Sequence, residues 1–486
     1  MAVVHKEGIS HKEEVLFMKA METATQEMGH ELKLKRSIGF ISLVVFGLVF
    51  MNPASALSYF GYTQIGSGGH SVLVFLTGTV VVFFTCLSYA KMVQMFPSSG
   101  SAYVYVSKGL NSKAGFLVGW AMLLDYALIP MFIFTLTGLY MNRNFGIFPA
   151  DVWMVIFAVA VLIVNFLGLK VADLFNRSAV LIQIGFAMIF AILSAIYLAE
   201  HGIASGYSSV LYNPSSFSMS GIISTSTLAV LSFLGFDAIS TVAEESKVSS
   251  KLVAKSIKMS VLIQGALLCG LAYVCSLLFP EPGLIEHPDT ISYDLYMLVG
   301  GKTFTVVVIA ISQFLTLMCT STAVTAASRI LYSMGRDEVL PKKVFGHLNK
   351  KFRTPTWNII IIIGICIVGG LFLDWSTIAS IASFGGMFGF ALVNIAVIRY
   401  FYFIKKEKNL ITNFIFPALG TASIIYVMIG TSTLCKIIAF SWIACGVVYL
   451  IIRYIYSDKF RRNIQNNVDF TVEKFDEDLT IDENAI

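Results

Sequence analysis

Hydrophobic residues in this chain come in long blocks rather than along one helical face or at alternate positions. Stretches of roughly twenty apolar residues are divided by short polar segments, and roughly 20 such residues are what an α-helix needs to cross a hydrocarbon core about 30 Å thick. The blocks predict spans at 38–65, 71–96, 114–141, 152–169, 174–199, 219–243, 255–279, 303–332, 356–373, 376–402, 411–432 and 435–456. The expected fold is an all-α integral membrane protein of about twelve transmembrane helices. A membrane domain over 37–456 lies between polar tails at 1–36 and 457–486.

Composition strengthens this reading. Of 486 residues, 56% are hydrophobic and 13% charged, whereas soluble domains carry about a quarter charged residues. The net charge of +5 is spread between the blocks, which does not suit nucleic-acid binding; the expected surroundings are a lipid bilayer. Starting from a cytoplasmic N-terminus, only Arg143, Lys302 and Lys436 of the 34 lysines and arginines fall outside. Inner loops carry Lys247, Lys251, Lys255 and Lys258, then Arg329, Arg336, Lys342 and Lys343, while Glu200, Glu281, Glu286, Asp289 and Asp294 fall outside. The positive-inside bias therefore predicts a multi-pass protein of the cell (plasma or inner) membrane with both termini cytoplasmic.

The N-terminal tail lacks the apolar region and cleavage site of a signal peptide, so the first span is expected to be retained. A short amphipathic surface helix is expected near Val15–Met21, and a flexible acidic tail after 457. All seven cysteines lie in apolar stretches with no metal-ligand spacing, and they read as small buried hydrophobes. No HExxH, GxSxG, phosphate-loop or dinucleotide motif occurs, so neither an enzyme nor a bound metal or cofactor is expected.

Two spans look broken. The first runs into Met51-Asn52-Pro53-Ala54-Ser55, where proline removes an N–H and clashes with the preceding turn. The sixth contains Ser232-Phe233-Leu234-Gly235-Phe236-Asp237. These spans correspond in two five-helix halves, 38–199 and 219–402, and matching interruptions point to a midplane transport site; ordinary kinks are the alternative. Asp237 and Asp125 lie well inside spans. A carboxylate near the bilayer centre costs on the order of 2.5–3.5 kcal/mol and calls for a partner, either a transported cation, a coupling ion or a proton. Asp237 reads as a substrate contact or a cap of unwound backbone; Asp125 reads as a substrate contact, a proton site or a structural hydrogen-bonding group. Tyr59, Tyr126, Phe233 and Phe236 lie near the same level, where aromatic faces attract ammonium groups or serve as plain packing.

The chain resembles the amino acid–polyamine–organocation (APC) transporter family from about residue 37 to 456. The resemblance rests on FPSSGSAYVYVSKGLNSKAGFLVGW (96–120), NFLGLKVADLFNRSAVLIQ (165–183), FLGFDAISTVAEES (233–246) and SRILYSMGRDEVLP (328–341). GLVFMNPASALSYFG (47–61), LLDYALIP (123–130) and FLGFD (233–237) make it most similar to the putrescine-importer-like branch. The family implies a LeuT-like pair of inverted five-helix repeats plus two extra helices, alternating access, and substrate between the broken first and sixth spans. On that footing Met51, Asn52, Ser55, Tyr59, Tyr126, Phe233, Gly235, Phe236, Asp125 and Asp237 are the expected substrate-binding residues.

The departures from the family are informative. Its amino acid carriers usually have a glycine-rich first break whose N–H groups hold a carboxylate. MNPAS offers no glycine, and Pro53 offers no N–H, which suits a diamine better than a zwitterion. The lysine that proton-coupled members place in the fifth span is absent, with only Arg177 near its cytoplasmic end. Ser321, Thr322 and Thr325 of the eighth span are candidate ion-coupling residues, or small polar residues for close helix packing. H+ and Na+ both remain open as coupling ions. The expected function is secondary import of a small amine such as putrescine. A neutral amino acid permease or exchanger is the alternative, and a non-transporting membrane receptor the third class.

Overall fold

The computed structural model describes residue 34 and residues 36–456, apart from 146, 168, 203–207, 209, 286–287, 289–290, 350–351, 373–383 and 431–432. The expected surface helix at Val15–Met21, the acidic tail, Glu286, Asp289 and the start of the tenth span lie outside the described residues. Backbone groups facing lipid find no external partner, so spanning segments must close their own hydrogen bonds. Among the described residues the chain is helical, and its one extended pairing is an isolated parallel bridge between Ile38 and Ser246.

The first span consists of α1 (Phe40–Met51) and α2 (Ser55–Gly66), bent by 45°. The chain continues through α3 (Ser71–Met95), α4 (Ala102–Gly109), α5 (Ser112–Phe145), α6 (Ala150–Phe166) and α7 (Leu169–His201). The sixth span consists of α8 (Met219–Leu231), turns over 232–237 and the short α9 (Ala238–Thr241). Then follow α10 (Ser250–Leu278), α11 (Ile291–Arg336), α12 (Thr356–Phe372), α13 (Phe384–Val397), α14 (Phe416–Gly430) and α15 (Thr433–Tyr456). Among the described residues eight helical stretches are long and apolar enough to cross a membrane; the bent first span makes a ninth, and α6, α8 and α12 are shorter apolar helices. Each of the twelve predicted spans thus has a helix at its place, and the first and sixth are interrupted as expected.

Two elements differ from the sequence expectation. The segment around 97–113, read as a loop, contains α4, whose Tyr103, Tyr105 and Val106 are buried. Its short length and its Ser107, Lys108 and Gly109 hide it from a hydropathy scan, because it buries against protein rather than lipid. The eighth span is preceded by an additional helical stretch within α11, separated from it at Gly301, where φ is 66° and the helix is locally left. Glycine carries that conformation without a side-chain clash.

Among the described residues the most extensive helix pair is α3 with α10, the second and seventh spans. Small residues allow this approach: a Cβ on Gly265 would sit 2.4 Å from Thr79, and one on Gly78 would sit 2.5 Å from Ala229 of α8. Such contacts are how helices associate where lipid is as apolar as the side chains. At the periphery α15 is held to α5 by Trp120 and Trp442, whose rings stack at 4.8 Å. Each indole N–H donates to the other residue's carbonyl, at 2.9 and 2.8 Å.

Candidate functional site

At the first break Asn52 adopts a left-handed conformation, φ 53°, which asparagine tolerates better than most residues. Its Oδ1 accepts from the Ala54 N–H at 3.2 Å, and its carbonyl accepts from Ser55 N–H at 2.9 Å. The Leu57 N–H is bonded to Ala54 O at 3.0 Å. With Pro53 contributing no donor, the amides that open α2 are largely engaged within the break itself. Met51 is buried, Asn52 and Tyr59 are half-buried, and the buried Ser55 Oγ has no hydrogen-bond partner among the described residues.

At the second break Gly235 has φ +112°, and a Cβ there would meet the Phe50 ring at 2.5 Å. The glycine therefore serves both the turn and the contact between the two breaks. Amides of this segment are likewise used locally: Leu234 N–H bonds Leu231 O, Phe236 N–H bonds Phe233 O and Ala238 N–H bonds Gly235 O.

Asp237 is 2% exposed, and its Oδ2 accepts the Tyr126 hydroxyl at 2.5 Å. No ion pair involves Asp237 among the described residues. The Tyr126 ring lies 5.7 Å from Phe50, and Phe236 lies 5.3 Å from Tyr89 and 5.0 Å from Phe390. Phe233 is fully buried in the same core.

Asp125, one residue before Tyr126, faces α13. A Cβ on Gly386 of α13 would lie 2.6 Å from Asp125 Oδ2 and 3.2 Å from Leu234 Cδ2. The carboxylate therefore occupies the space that Gly386 leaves open, next to the second break. Tyr89 and Tyr126 lie within electrostatic reach of both carboxylates. The structure thus brings Tyr126 and Asp237 into contact, Gly235 against Phe50, and Asp125 beside Leu234 of the second break, all of them buried.

The eighth-span hydroxyls are placed differently. Asn165 of α6 donates to Ser321 Oγ at 3.0 Å and accepts from Thr325 Oγ1 at 2.6 Å. Thr322 donates to Cys319 O of its own helix at 2.6 Å. Among the described residues, the eighth-span group hydrogen-bonded to the first break is the Cys319 thiol, 3.4 Å from Phe50 O.

Several residues here were not singled out by the sequence. Gln264 of α10 donates to Met51 O, Asn52 O and Ser232 O at 3.2, 3.4 and 3.1 Å. Gln183 of α7, the fifth span, reaches Asn52 Oδ1 at 3.5 Å. The buried Tyr89 hydroxyl has no hydrogen-bond partner among the described residues. The available signal was an amide or hydroxyl isolated in an apolar run, which marks an inward face.

Three of the quoted sequence pieces meet at the predicted inner end. Glu244 accepts from Arg336 Nη1 at 2.9 Å, and from Ser98 Oγ and Ser99 N–H at 3.1 and 2.9 Å. Burial alone would raise the Glu244 carboxyl; Arg336 and these hydrogen bonds outweigh it and hold the group below its ordinary value. Asp337, which accepts the Tyr103 hydroxyl at 2.8 Å, is pushed up by burial despite Arg336. Beneath them Arg329 and Glu245 form a buried pair at 2.7 Å.

Broken helices crossing at a buried acid within a multi-pass bundle define a membrane carrier. The chain belongs to the amino acid permease family, whose profile matches residues 47–468, and it is a permease rather than an enzyme. It is 29% identical to the low-affinity putrescine importer PlaP of Escherichia coli K12 over 429 residues, covering 86% of this chain and 94% of that one. The branched-chain amino acid permease BcaP of Bacillus subtilis 168 is 22% identical over 483 residues, covering 92% and 98%. The methylthioribose transporter of the same organism is 24% identical, covering 81% and 87%.

Proposed function

We propose that this permease imports a small protonated amine, putrescine or a related diamine, across the cell membrane by alternating access, with both termini cytoplasmic. The observation that carries the substrate class is the combination of acid and engaged amides. Asp237 is buried with a neutral tyrosine hydroxyl as its hydrogen-bonding side chain and with the Gly235, Asp237 and Ala238 amides at its carboxyl, while the Ala54, Ser55, Leu57, Leu234 and Phe236 amides are bonded within their own turns. A zwitterion needs free N–H donors for its carboxylate; an ammonium group needs a carboxylate and aromatic faces.

In this reading Asp237 holds the ammonium, with Tyr126, Phe236 and Tyr89 around it. Asp125 stands beside Leu234 as the second acid. The buried Ser55 Oγ and Tyr89 hydroxyl have no hydrogen-bond partner among the described residues, and leaving such groups unmet costs about 1–3 kcal/mol each; a polar substrate supplies what they lack. Met51, Asn52, Tyr59, Phe233 and Gly235 shape the same volume. Ser321 and Thr325 remain candidates for ion coupling only if their hydrogen bonds to Asn165 open during the cycle, and Thr322 only if it leaves Cys319 O.

The neutral amino acid reading keeps one support, the similarity to branched-chain amino acid permeases along nearly the whole chain. The deciding experiment is uptake of labelled putrescine by purified protein in liposomes, competed with unlabelled diamines and with an amino acid panel. Competition by diamines alone is expected. Competition by branched-chain amino acids, without putrescine uptake, would replace the amine reading with the alternative.

A further inference from the structure

The most unusual group in the bundle is the Gln264 side chain. It is fully buried in α10 and faces three main-chain carbonyls from two different broken helices. Carbonyl oxygens can only accept, so the atom facing them is the amide nitrogen. Its two hydrogens serve three acceptors at 3.1–3.4 Å, while Oε1 is left buried with no partner among the described residues. An amide oriented at the expense of its own oxygen shows where the stronger demand lies.

That demand has a simple origin. Met51 O and Asn52 O close the C-terminal end of α1, and Ser232 O closes that of α8. The C-terminal ends of two half-helices concentrate partial negative charge and favour a cation, and unwound carbonyls in broken transporter helices are suited to coordinate one. Here the focus of those carbonyls is filled by a side chain.

We propose that the Gln264 amide is a tethered substitute for a coupling cation: it neutralises both helix ends with a fixed dipole and ties the two breaks together without an ion. Gln264 acts through the breaks and is a positioning residue. The inference rests on the carrier reading only for how the breaks move; which solute is carried does not enter it.

The test is thermal unfolding of the full chain in detergent, in sodium, lithium or potassium chloride against choline chloride at equal ionic strength. The wild type is expected to melt within about 1 °C across these salts, because the focus of the two breaks is filled and the eighth-span hydroxyls are hydrogen-bonded in the folded state. Gln264→Ala vacates the focus and should gain stability selectively in an alkali cation, by several degrees. Gln264→Glu should resemble the wild type in acid, where its carboxyl donates a hydrogen bond, and become cation-dependent in alkali. The same variants in liposomes should show at least about tenfold lower uptake in choline, restored in part by the cation that stabilises them.

A wild type stabilised by an alkali cation overturns the proposal, whatever the variants do. So do Gln264→Ala or Gln264→Glu proteins that fold and melt alike in every salt. If putrescine is not transported but the melting pattern appears, the amine reading fails and this one stands.

Discussion

Asp237 is a buried acid with no ion-pair partner among the described residues, and that gives single substitutions unusual leverage. Asp237→Asn preserves shape and can still accept the Tyr126 hydroxyl, so the bundle should assemble normally. Removing one member of a buried charge pair typically costs about 3–5 kcal/mol. Half-saturating putrescine in liposome uptake should therefore rise at least about tenfold; unchanged affinity would make the carboxylate structural. Gly386 offers a more oblique test. A methyl there would come 2.6 Å from Asp125 Oδ2, so Gly386→Ala should displace the carboxylate and reproduce Asp125→Asn. If Asp125 brackets the diamine, both variants should discriminate diamines from monoamines less well and keep their pH dependence. If Asp125 carries a proton, both should lose pH dependence and keep the diamine preference.

At the scale of elements, the breaks are where local sequence and tertiary contact agree. Pro53 and Gly235 announce them, and both interruptions were legible because they violate helix rules inside apolar runs. Which polar groups meet across helices was not legible. Gln264, Asn165 and Gln183 each sit in strongly apolar helices, where no hydrophobic stripe tells one face from another. The pairing of Asn165 with Ser321 and Thr325 appears only once α6 is packed on α11. Likewise α4 was hidden, since a helix of eight residues buried in protein has no hydropathy signal. Its surroundings carry a pH prediction. The folded Glu244 carboxyl lies below its ordinary value, so its contribution to stability is present above the unfolded pKa and lost as pH falls through the folded one. Acid should therefore lower the melting temperature partly through Glu244, and Glu244→Gln should flatten that acid limb while lowering stability at neutral pH. An acid limb as steep in Glu244→Gln as in the wild type would refute this role.

For the whole molecule, the decisive quantity is the charge asymmetry between the two sets of loops. Single cysteines placed at 247–252 or 342–346 should react with a membrane-impermeant thiol reagent only after the cell is opened. Cysteines at 281–283 should react in intact cells. Labelling near residue 344 from outside would invert the assigned orientation and move the Glu244 cluster to the opposite face. The same experiment addresses Leu34, which packs with Tyr332 and Leu348 and so shows that the bundle begins before the first apolar block.

The small bridge at Ile38 and Ser246 has a consequence for measuring the cycle in time. Ser37 and Ile38 N–H groups bond Glu245 O, and Lys247 N–H bonds Ile38 O at 2.8 Å, so three amides outside any helix are protected by one junction between the first and sixth spans. Amides protected by a common local opening exchange with solvent deuterium together, at a rate set by that opening. If the spans part there during transport, the three should exchange as a set, far faster than amides in mid-α10. A ligand that favours the joined state should slow all three by one common factor, making the junction a label-free clock for the opening of this end of the protein.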